Sequence, residues 1–249
     1  MTNKDSVRPV AGEDPPKRVM ALDFGESRIG VAVSVEGVGM PIGFVNHRGY
    51  RHSLKGLIDE RAPDLIIVGL PLAKTGGFTI SAEKATAFAE VVRKSFNVRV
   101  CMVDERLTTR AARSKLEITP KDFKEVKDAL SALEILNSYL DNPVVSSPVR
   151  CSFPYCRIDE SCKRIPQSIL IWCPENAGIV DKVREMGAAL VAVYSEDPQI
   201  LLRVRRKKLT AMNLMHEVVF EEFDAILLKR GTSNPSDGVI EEIIRFTCS

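Results

Sequence analysis

Apolar and polar positions along the chain fall into two segments that each have an α/β pattern. Three apolar stretches, near 18–23, 29–34 and 41–46, have the length of β-strands, and a tight turn around Gly25 joins the first two. Beyond them, short apolar runs alternate with stretches of helical periodicity. Three successive strands followed by alternating helices and strands predict a mixed sheet flanked by helices.

The rest of the first segment follows from the same patterns. Leu65-Ile66-Ile67-Val68 is a continuous apolar run, which is typical of a strand covered on both faces. The other predicted elements are helices near 53–61, 79–96, 107–117 and 122–140, and a strand over 98–103. Residues 18–142 are therefore predicted to form one α/β domain with a five-stranded sheet.

The composition changes at both ends of this domain. Residues 1–17 are polar and contain prolines, so we predict a disordered tail. Residues 143–168 contain four prolines and five serines without periodicity, which predicts a linker. From 169 to 249, strand patterns at 169–172, 190–194 and 225–228, helical stretches between them and a final helix from Gly238 predict a second, smaller α/β unit.

Charge and cysteine content narrow the function classes. The net charge of +2 is too small to predict a nucleic-acid partner by itself, so such binding must come from local patches. The six cysteines form no C-x-x-C pair, which gives a zinc knuckle little support. With no apolar run long enough to span a bilayer and no signal-peptide pattern, we expect a cytoplasmic protein with reduced thiols and no membrane partner.

Candidate chemistry lies in acidic residues at the ends of apolar elements. Asp23 ends a strand that is predicted to be buried, and a buried carboxylate needs a cation, a donor or a catalytic role. Asp104 and Glu105 close the strand over 98–103, and Asp128 lies near the start of the helix that runs to Leu140. Three carboxylates from separate elements are typical of a divalent-metal site, which favours phosphodiester hydrolysis.

The geometry of strands and helices indicates which of these acids can be metal ligands. Asp104 and Glu105 are neighbours on a strand and should point to opposite faces, so only one of them is expected to be a ligand. We favour Glu105, and Asp104 stays open. Asp128 lies at the edge of the helix face that is directed at the sheet, where it could reach inward or remain a solvated acid.

Five sequence blocks strengthen the functional interpretation of these acids. In chain order they are Leu22-Asp23-Phe24-Gly25 with Arg28 to Ser34, Pro63 to Leu72, Ala82 to Ala85, Val103 to Thr109, and Val126 to Ala132. Their order and spacing resemble the YqgF/RuvX family, a branch of the ribonuclease H-like superfamily described as pre-16S rRNA nucleases or Holliday junction resolvases. The resemblance covers about 18–142.

The resemblance implies a ribonuclease H-like sheet and a nuclease that uses Mg²⁺ or Mn²⁺. It places the catalytic acids on Asp23, Asp104 or Glu105, and Asp128, with Asp23, Glu105 and Asp128 as the expected metal ligands. It further implies that the 5′ end of precursor 16S rRNA is processed, with branched DNA as the alternative substrate. The basic and hydroxyl residues that we expect to contact nucleic acid are Arg28, Arg106, Thr108 and Lys127.

Other interpretations remain open at this point. The family tends to carry Asn-Met-Asp-Gly where this chain has Ala73-Lys74-Thr75-Gly76, and it does not account for residues 143–249. An Asp-x-Gly hairpin also occurs in actin-like and sugar-kinase folds, although the further phosphate and adenosine loops are not found here. A nuclease fold that binds RNA without cutting is a third possibility. The basic run from Arg203 to Lys208 is either a second nucleic-acid contact or a solvated helix face.

Overall fold

The computed structural model describes residues 16–107, 120–143, 146–159 and 166–248, with side chains described for all of these except 107 and 120–126. The chain divides into two compact units, Met1–Leu72 with Ile80–Cys151, and Ala73–Thr79 with Ser152–Ser249. The expected tail falls mostly on residues 1–15, outside the described part.

The first unit is built on a six-stranded mixed sheet in the order β3-β2-β1-β4-β5-β6. Its strands are β1 (Arg18–Phe24), β2 (Arg28–Val35), β3 (Val38–Asn46), β4 (Leu65–Leu70), β5 (Arg99–Asp104) and β6 (Ser146–Pro148), and its helices are α1 (Tyr50–Arg61), α2 (Ile80–Phe96) and α3 (Pro120–Asp141). The first three strands are antiparallel, β4 and β5 run parallel to β1, and β6 is antiparallel to β5.

The alternation of side chains along the strands decides which face each residue occupies. Val19 and Ala21 of β1 lie in one buried cluster with α3, together with the odd-numbered residues of β4 and β5: Leu65, Ile67, Cys101 and Val103. Side chains at the even positions point to the opposite face, against which α2 packs. Any odd-numbered residue that continues these strands at their carboxyl ends therefore lies on the α3 side of the sheet.

The predicted fold class, a mixed α/β sheet flanked by helices, is confirmed, with one strand more than expected. The additional strand is β6, which pairs with Cys101–Val103 from within the segment 143–168 that was expected to be a linker. Three residues are too few for periodicity to reveal a strand. The helix expected near 107–117 falls on residues 108–119, outside the described part of the chain.

The second unit has its own six-stranded sheet in the order β10-β9-β8-β11-β12-β7. Its strands are β7 (Cys156–Ile158), β8 (Ser168–Trp172), β9 (Leu190–Tyr194), β10 (Thr210–Met212), β11 (Ala225–Lys229) and β12 (Glu242–Cys248), and its helices are α4 (Ile179–Glu185) and α5 (Pro198–Arg206). All strands are parallel except β7, which runs antiparallel to β12. Both helices pack on one face of this sheet.

The end of the chain corrects a prediction. The final helix expected from Gly238 is wrong, because Glu242–Cys248 forms strand β12 between β11 and β7. In this strand Ile244 and Phe246 are buried while their neighbours are more exposed, which is the period of two that a sheet imposes.

The loop between β4 and α2 belongs to the second unit, although both flanking elements belong to the first. Asn213 holds this loop at two points: its Nδ2 donates to the Gly76 carbonyl oxygen at 2.8 Å, and its Oδ1 accepts from the Phe78 amide at 2.9 Å. The guanidinium of Arg205 lies 5.1 Å from the centre of the Phe78 ring. The loop Ala73–Thr79, where the sequence departs from the family motif, therefore packs against residues of the extension 143–249, which the resemblance does not cover.

The basic run on and after α5 is largely engaged within the second unit. Arg203 stacks on Phe153 at 4.0 Å from the ring centre, and Lys207 donates to Asp181 at 2.6 Å. Together with Arg205, these are three of the five cations in the run. Such contacts favour a structural role for this run over a second nucleic-acid surface.

Cysteine pairing differs from the expected reduced state. Cys156 and Cys248 lie directly opposite each other on β7 and β12 and form a disulfide. Cys101, Cys151 and Cys173 are free thiols. Within the described residues, no helix is both long enough and apolar enough to cross a membrane.

Candidate active site

Two of the predicted acids lie on the same side of the first sheet. Asp23 continues the row of Val19 and Ala21 on β1. Glu105 follows β5 directly as the first residue of a short 3-10 helix (Glu105–Leu107), and its carboxylate lies next to Gly69, as does Ile135 of α3. Both acids lie on the α3 side at the carboxyl edge of parallel strands, which is where ligands gather in α/β sheets.

Asp128 approaches this edge from α3. The helix begins at Pro120, so Asp128 lies about two turns inside it, not near its start as the sequence suggested. Its backbone lies against Gly30 of β2, the residue paired with Asp23 across the antiparallel ladder. A Cβ atom at Gly30 would overlap the carbonyl oxygen of Asp128 and lie 2.6 Å from its carbonyl carbon. The close approach therefore requires glycine.

Gly69 of β4 creates a second gap at the same edge. A Cβ atom there would overlap the Glu105 carboxylate and lie 2.6 Å from Cδ1 of Ile135 on α3. Gly69 continues the row of Leu65 and Ile67, so it lies on the α3 side as well. Its missing side chain leaves the space that the Glu105 carboxylate occupies.

The electrostatic environment of Asp23 is unfavourable to its charged form. Burial, and then the negative charges of Asp128 and Glu134, raise its pKa from 3.8 to about 6. The positive charge of Lys127 and a hydrogen bond from Ser131 act in the opposite direction and are too weak to cancel these effects. The charged side chains of α3 that act on Asp23 are Asp128, Glu134 and Lys127.

Glu105 is perturbed in the same way from the other side. Burial, and then the charges of Asp23 and Asp104, raise its pKa from 4.5 to about 7. The structure therefore brings Asp23 into electrostatic contact with Glu105, directly after β5, and with Asp128 on α3. Raised pKa values of this kind cluster at functional sites, although structural networks produce them as well.

Asp104 has a different environment from Glu105. Its carboxylate accepts hydrogen bonds from the Arg106 side chain at 2.6 and 3.1 Å and from the Arg106 backbone amide at 2.9 Å. These bonds, together with the charge of Asp104, raise the pKa of the guanidinium. Because Arg106 occupies both Asp104 oxygens, Asp104 is less available as a metal ligand than Glu105.

Arg28 lies against Asp128. Its Nε is 3.1 Å from Asp128 Oδ2, and its guanidinium is stacked 4.6 Å from the centre of the Phe44 ring. The Oδ2 atom is buried and accepts no hydrogen bond from any residue that the structure describes. A buried carboxylate oxygen in this state has an unused acceptor position that a cation could fill.

The donor set matches a hard divalent cation. Such ions prefer carboxylate oxygens, and a cation would offset the repulsion that raises the pKa values of Asp23 and Glu105. Asp128 Oδ2, which is ion-paired with Arg28 but accepts no hydrogen bond from a described residue, retains an acceptor position for such an ion. As they stand, no three acidic, histidine or cysteine side chains among the described residues are arranged as a complete metal site.

The remaining expected nucleic-acid contacts fall in different places. Lys127 is exposed on α3 beside Asp128, and Arg106 is bound to Asp104. Thr108 lies outside the described residues.

Ser131 and Glu134, both near Asp23, were not singled out from the sequence. They follow Asp128 at intervals of three on α3, and this helical spacing is the signal that could have identified them.

Comparisons with known proteins place the first unit in a family. The family model described as "RuvX: Holliday junction resolvase" matches residues 17–142, half of the chain. A "Putative pre-16S rRNA nuclease" of Geobacillus sp. (strain WCH70) is 36% identical over 50% of this chain and 98% of its own length, and one of Koribacter versatilis is 37% identical over 50% and 86%.

Among solved structures, Thermus thermophilus RuvC in complex with a Holliday junction substrate covers 53% of this chain and 99% of its own chain at 16% identity. Its TM-score of 0.38 is too low to carry an argument. The family model covers the segment that contains Asp23, Glu105 and Asp128, and the chain belongs to the RuvX family.

Proposed function

We propose that this chain is a metal-dependent nuclease that hydrolyses phosphodiester bonds and processes the 5′ end of precursor 16S rRNA. The observation that carries the proposal is the pair Asp23 and Glu105, two part-buried carboxylates on one face of the sheet, which lie close enough for the charge of Asp23 to raise the pKa of Glu105. The curated relatives named as pre-16S rRNA nucleases supply the substrate.

Asp23, Glu105 and Asp128 are the residues that would hold Mg²⁺ or Mn²⁺. Bound there, a divalent cation would activate a water molecule and stabilise the leaving oxygen of an in-line displacement. Asp23 supplies the central carboxylate because it lies at the end of a strand that is hydrogen-bonded on both sides. Asp128 supplies Oδ2, which is paired with Arg28 but accepts no hydrogen bond from a described residue.

The chain's other residues would orient these ligands and the nucleic acid. Ser131 donates a hydrogen bond to Asp23 and fixes its carboxylate. Arg28 pairs with Asp128, and Arg106 binds both carboxylate oxygens of Asp104. Lys127, exposed beside Asp128, is free to contact a phosphate, and we retain Arg28, Arg106 and Thr108 as further phosphate contacts.

The test is cleavage by the full chain of an RNA spanning the 5′ end of 16S rRNA and of a four-way DNA junction, with Mg²⁺ or Mn²⁺. Asp23→Asn should abolish cutting, whereas Asp59→Asn, which changes an exposed acid on α1, should not. Cutting of RNA alone supports the proposal. Cutting of the junction alone favours the resolvase activity in the family description, and tight binding with no cutting of either favours a non-catalytic RNA-binding factor.

We also propose that this reaction takes place in the cytoplasm. The Cys156–Cys248 disulfide is uncommon for that compartment. Immunodetection of the protein in fractionated cells tests the location, and recovery outside the fraction that contains ribosomes would contradict it.

A further inference from the structure

A basic and aromatic surface lies on the α2 side of the first sheet, next to the turn that follows Asp23 and on the opposite face from the acids. From Gly37 to Ile58 the sequence contains no acidic residue, but it contains Arg48, Arg51 and Lys55 together with His47 and His52. In a chain with a net charge of only +2, this is a local concentration of positive charge.

Most of these cations face solvent. Arg48, Arg51 and His52 are exposed, and none of them makes an ion pair with any residue that the structure describes. Lys55 differs, because it pairs with Asp59 one helical turn further along α1. Two arginines without a carboxylate partner are available to contact phosphates.

Four aromatic rings form a cluster beside these arginines. Phe88 of α2 is buried and anchors the cluster, with its ring centre 4.7 Å from that of Phe24 and 5.3 Å from that of Tyr50. His47 completes the ring contacts at 5.2 Å from Phe24 and 5.8 Å from Tyr50. Phe24, His47 and Tyr50 are each partly exposed.

The cluster is tied to the catalytic edge by short-range contacts. Phe24 follows Asp23 directly in the chain. The His47 amide donates to the Ser27 carbonyl oxygen at 2.9 Å, and His47 Nδ1 lies 3.1 Å from the Gly25 carbonyl oxygen. The turn that follows Asp23 and the segment that carries Arg48, Tyr50 and Arg51 are thereby held together.

We propose that Phe24, His47, Tyr50, Arg48 and Arg51 form a binding surface for single-stranded nucleic acid. Unstacked bases pack against partly exposed rings, and arginines beside the rings contact the backbone, which is the combination that single strands require. In a duplex the bases are stacked on each other and paired, so no base face is accessible for stacking on these rings. The inference rests on the proposed nuclease function and specifies its substrate as an unpaired strand.

The test is binding of a fluorescently labelled single-stranded RNA, and of a blunt duplex of the same sequence, to the full chain in EDTA, where metal-dependent cutting does not occur. Tyr50→Leu should weaken single-strand binding by about 5- to 100-fold, and Tyr50→Phe should retain it, since a base stacks on either ring. Arg48→Ala and Arg51→Ala should each lower the slope of log affinity against log salt by about 0.7. Arg61→Ala on the same helix is the charge-matched control.

The outcomes separate this inference from the proposed function. If Tyr50→Leu has a wild-type melting temperature and binds the single strand like wild type, the surface is refuted even where the protein cuts RNA. Equal losses for single strand and duplex would also refute it, because contacts to the backbone alone would explain them. If wild type binds single strands through Tyr50 but cuts nothing in Mg²⁺ or Mn²⁺, the surface stands and the nuclease proposal fails.

Discussion

Gly30 and Asp128 lie backbone against backbone, and this contact sets the distance between α3 and the sheet. The missing side chain of Gly30 lets the Asp128 peptide approach β2 directly opposite Asp23. Asp23 and Asp128 come together for this reason, and not because either carboxylate attracts the other. Like charges repel, and packing must hold them in place.

Gly30→Ala should disrupt this arrangement. The added methyl group would overlap backbone atoms of α3, which cannot rotate away, so the helix must shift. Overpacking of this kind costs about 1–3 kcal/mol, and the displaced Asp128 should abolish cleavage. Calorimetry and the RNA cleavage assay measure the two effects.

The control for this prediction is Gly56→Ala in the interior of α1. No atom lies within 4 Å of a Cβ built there, so the change should stabilise the protein by about 0.5–1 kcal/mol through helix propensity. Wild-type cleavage and stability in Gly30→Ala would show that the contact between α3 and β2 does not hold the site together.

Gly69→Ala should lower the cleavage rate strongly but the stability of the fold only slightly. Here the added methyl group meets the ends of two side chains, the Glu105 carboxylate and Ile135, which can move. We expect a smaller loss of stability than for Gly30→Ala. A displacement of the Glu105 carboxylate of the order of 1 Å should lower the cleavage rate by about 100-fold. Full activity in Gly69→Ala together with loss of activity in Glu105→Gln would mean that Glu105 works from another position.

The strands and acids of the first unit could be predicted from sequence because each signal is local. A buried parallel strand is a continuous apolar run, as in Leu65 to Val68, and the acids follow directly after such runs. Alternation predicts that only one of Asp104 and Glu105 is a ligand, and the hydrogen bonds that occupy Asp104 favour Glu105.

Features that depend on distant partners could not be predicted in this way. The helix predicted from Gly238 is instead strand β12, because pairing with β11 and β7 decides the structure of this short segment. The roles of Gly30 and Gly69 depend on which atoms lie opposite them across the fold. Nothing in the spacing of six cysteines specifies one pairing.

Stability should depend on pH through Asp23. Its pKa is raised by folding to about 6, so the folded state binds this proton more tightly than the unfolded chain does. The stabilisation is fully present below the ordinary value of 3.8 and is lost as the pH rises through about 6. In EDTA, Asp23→Asn should therefore be more stable than wild type by about 1–2 kcal/mol at pH 8, after allowance for solvent screening, and by almost nothing at pH 4.

Calorimetry across this pH range measures the effect, and Asp59→Asn serves as the control because its carboxylate is exposed and paired with Lys55. Mg²⁺ at pH 8 should raise the melting temperature of wild type more than that of Asp23→Asn, since a bound ion stabilises only the state that holds it. A constant stability difference between wild type and Asp23→Asn at every pH would contradict the raised pKa.

The disulfide should stabilise the second unit alone. Cys156 and Cys248 are 92 residues apart and join β7 to β12 at the edge of that unit's sheet, so the bond restricts a long loop in the unfolded chain. Removing it with Cys156→Ala/Cys248→Ala should lower that unit's stability by about 2–4 kcal/mol and leave RNA cleavage by the first unit unchanged. Calorimetry with and without reductant measures the loss, and Cys151→Ser, which removes an exposed free thiol, is the control. Were peptide mapping without reductant to find both thiols free in the purified protein, the bond and the stabilisation assigned to it would be wrong.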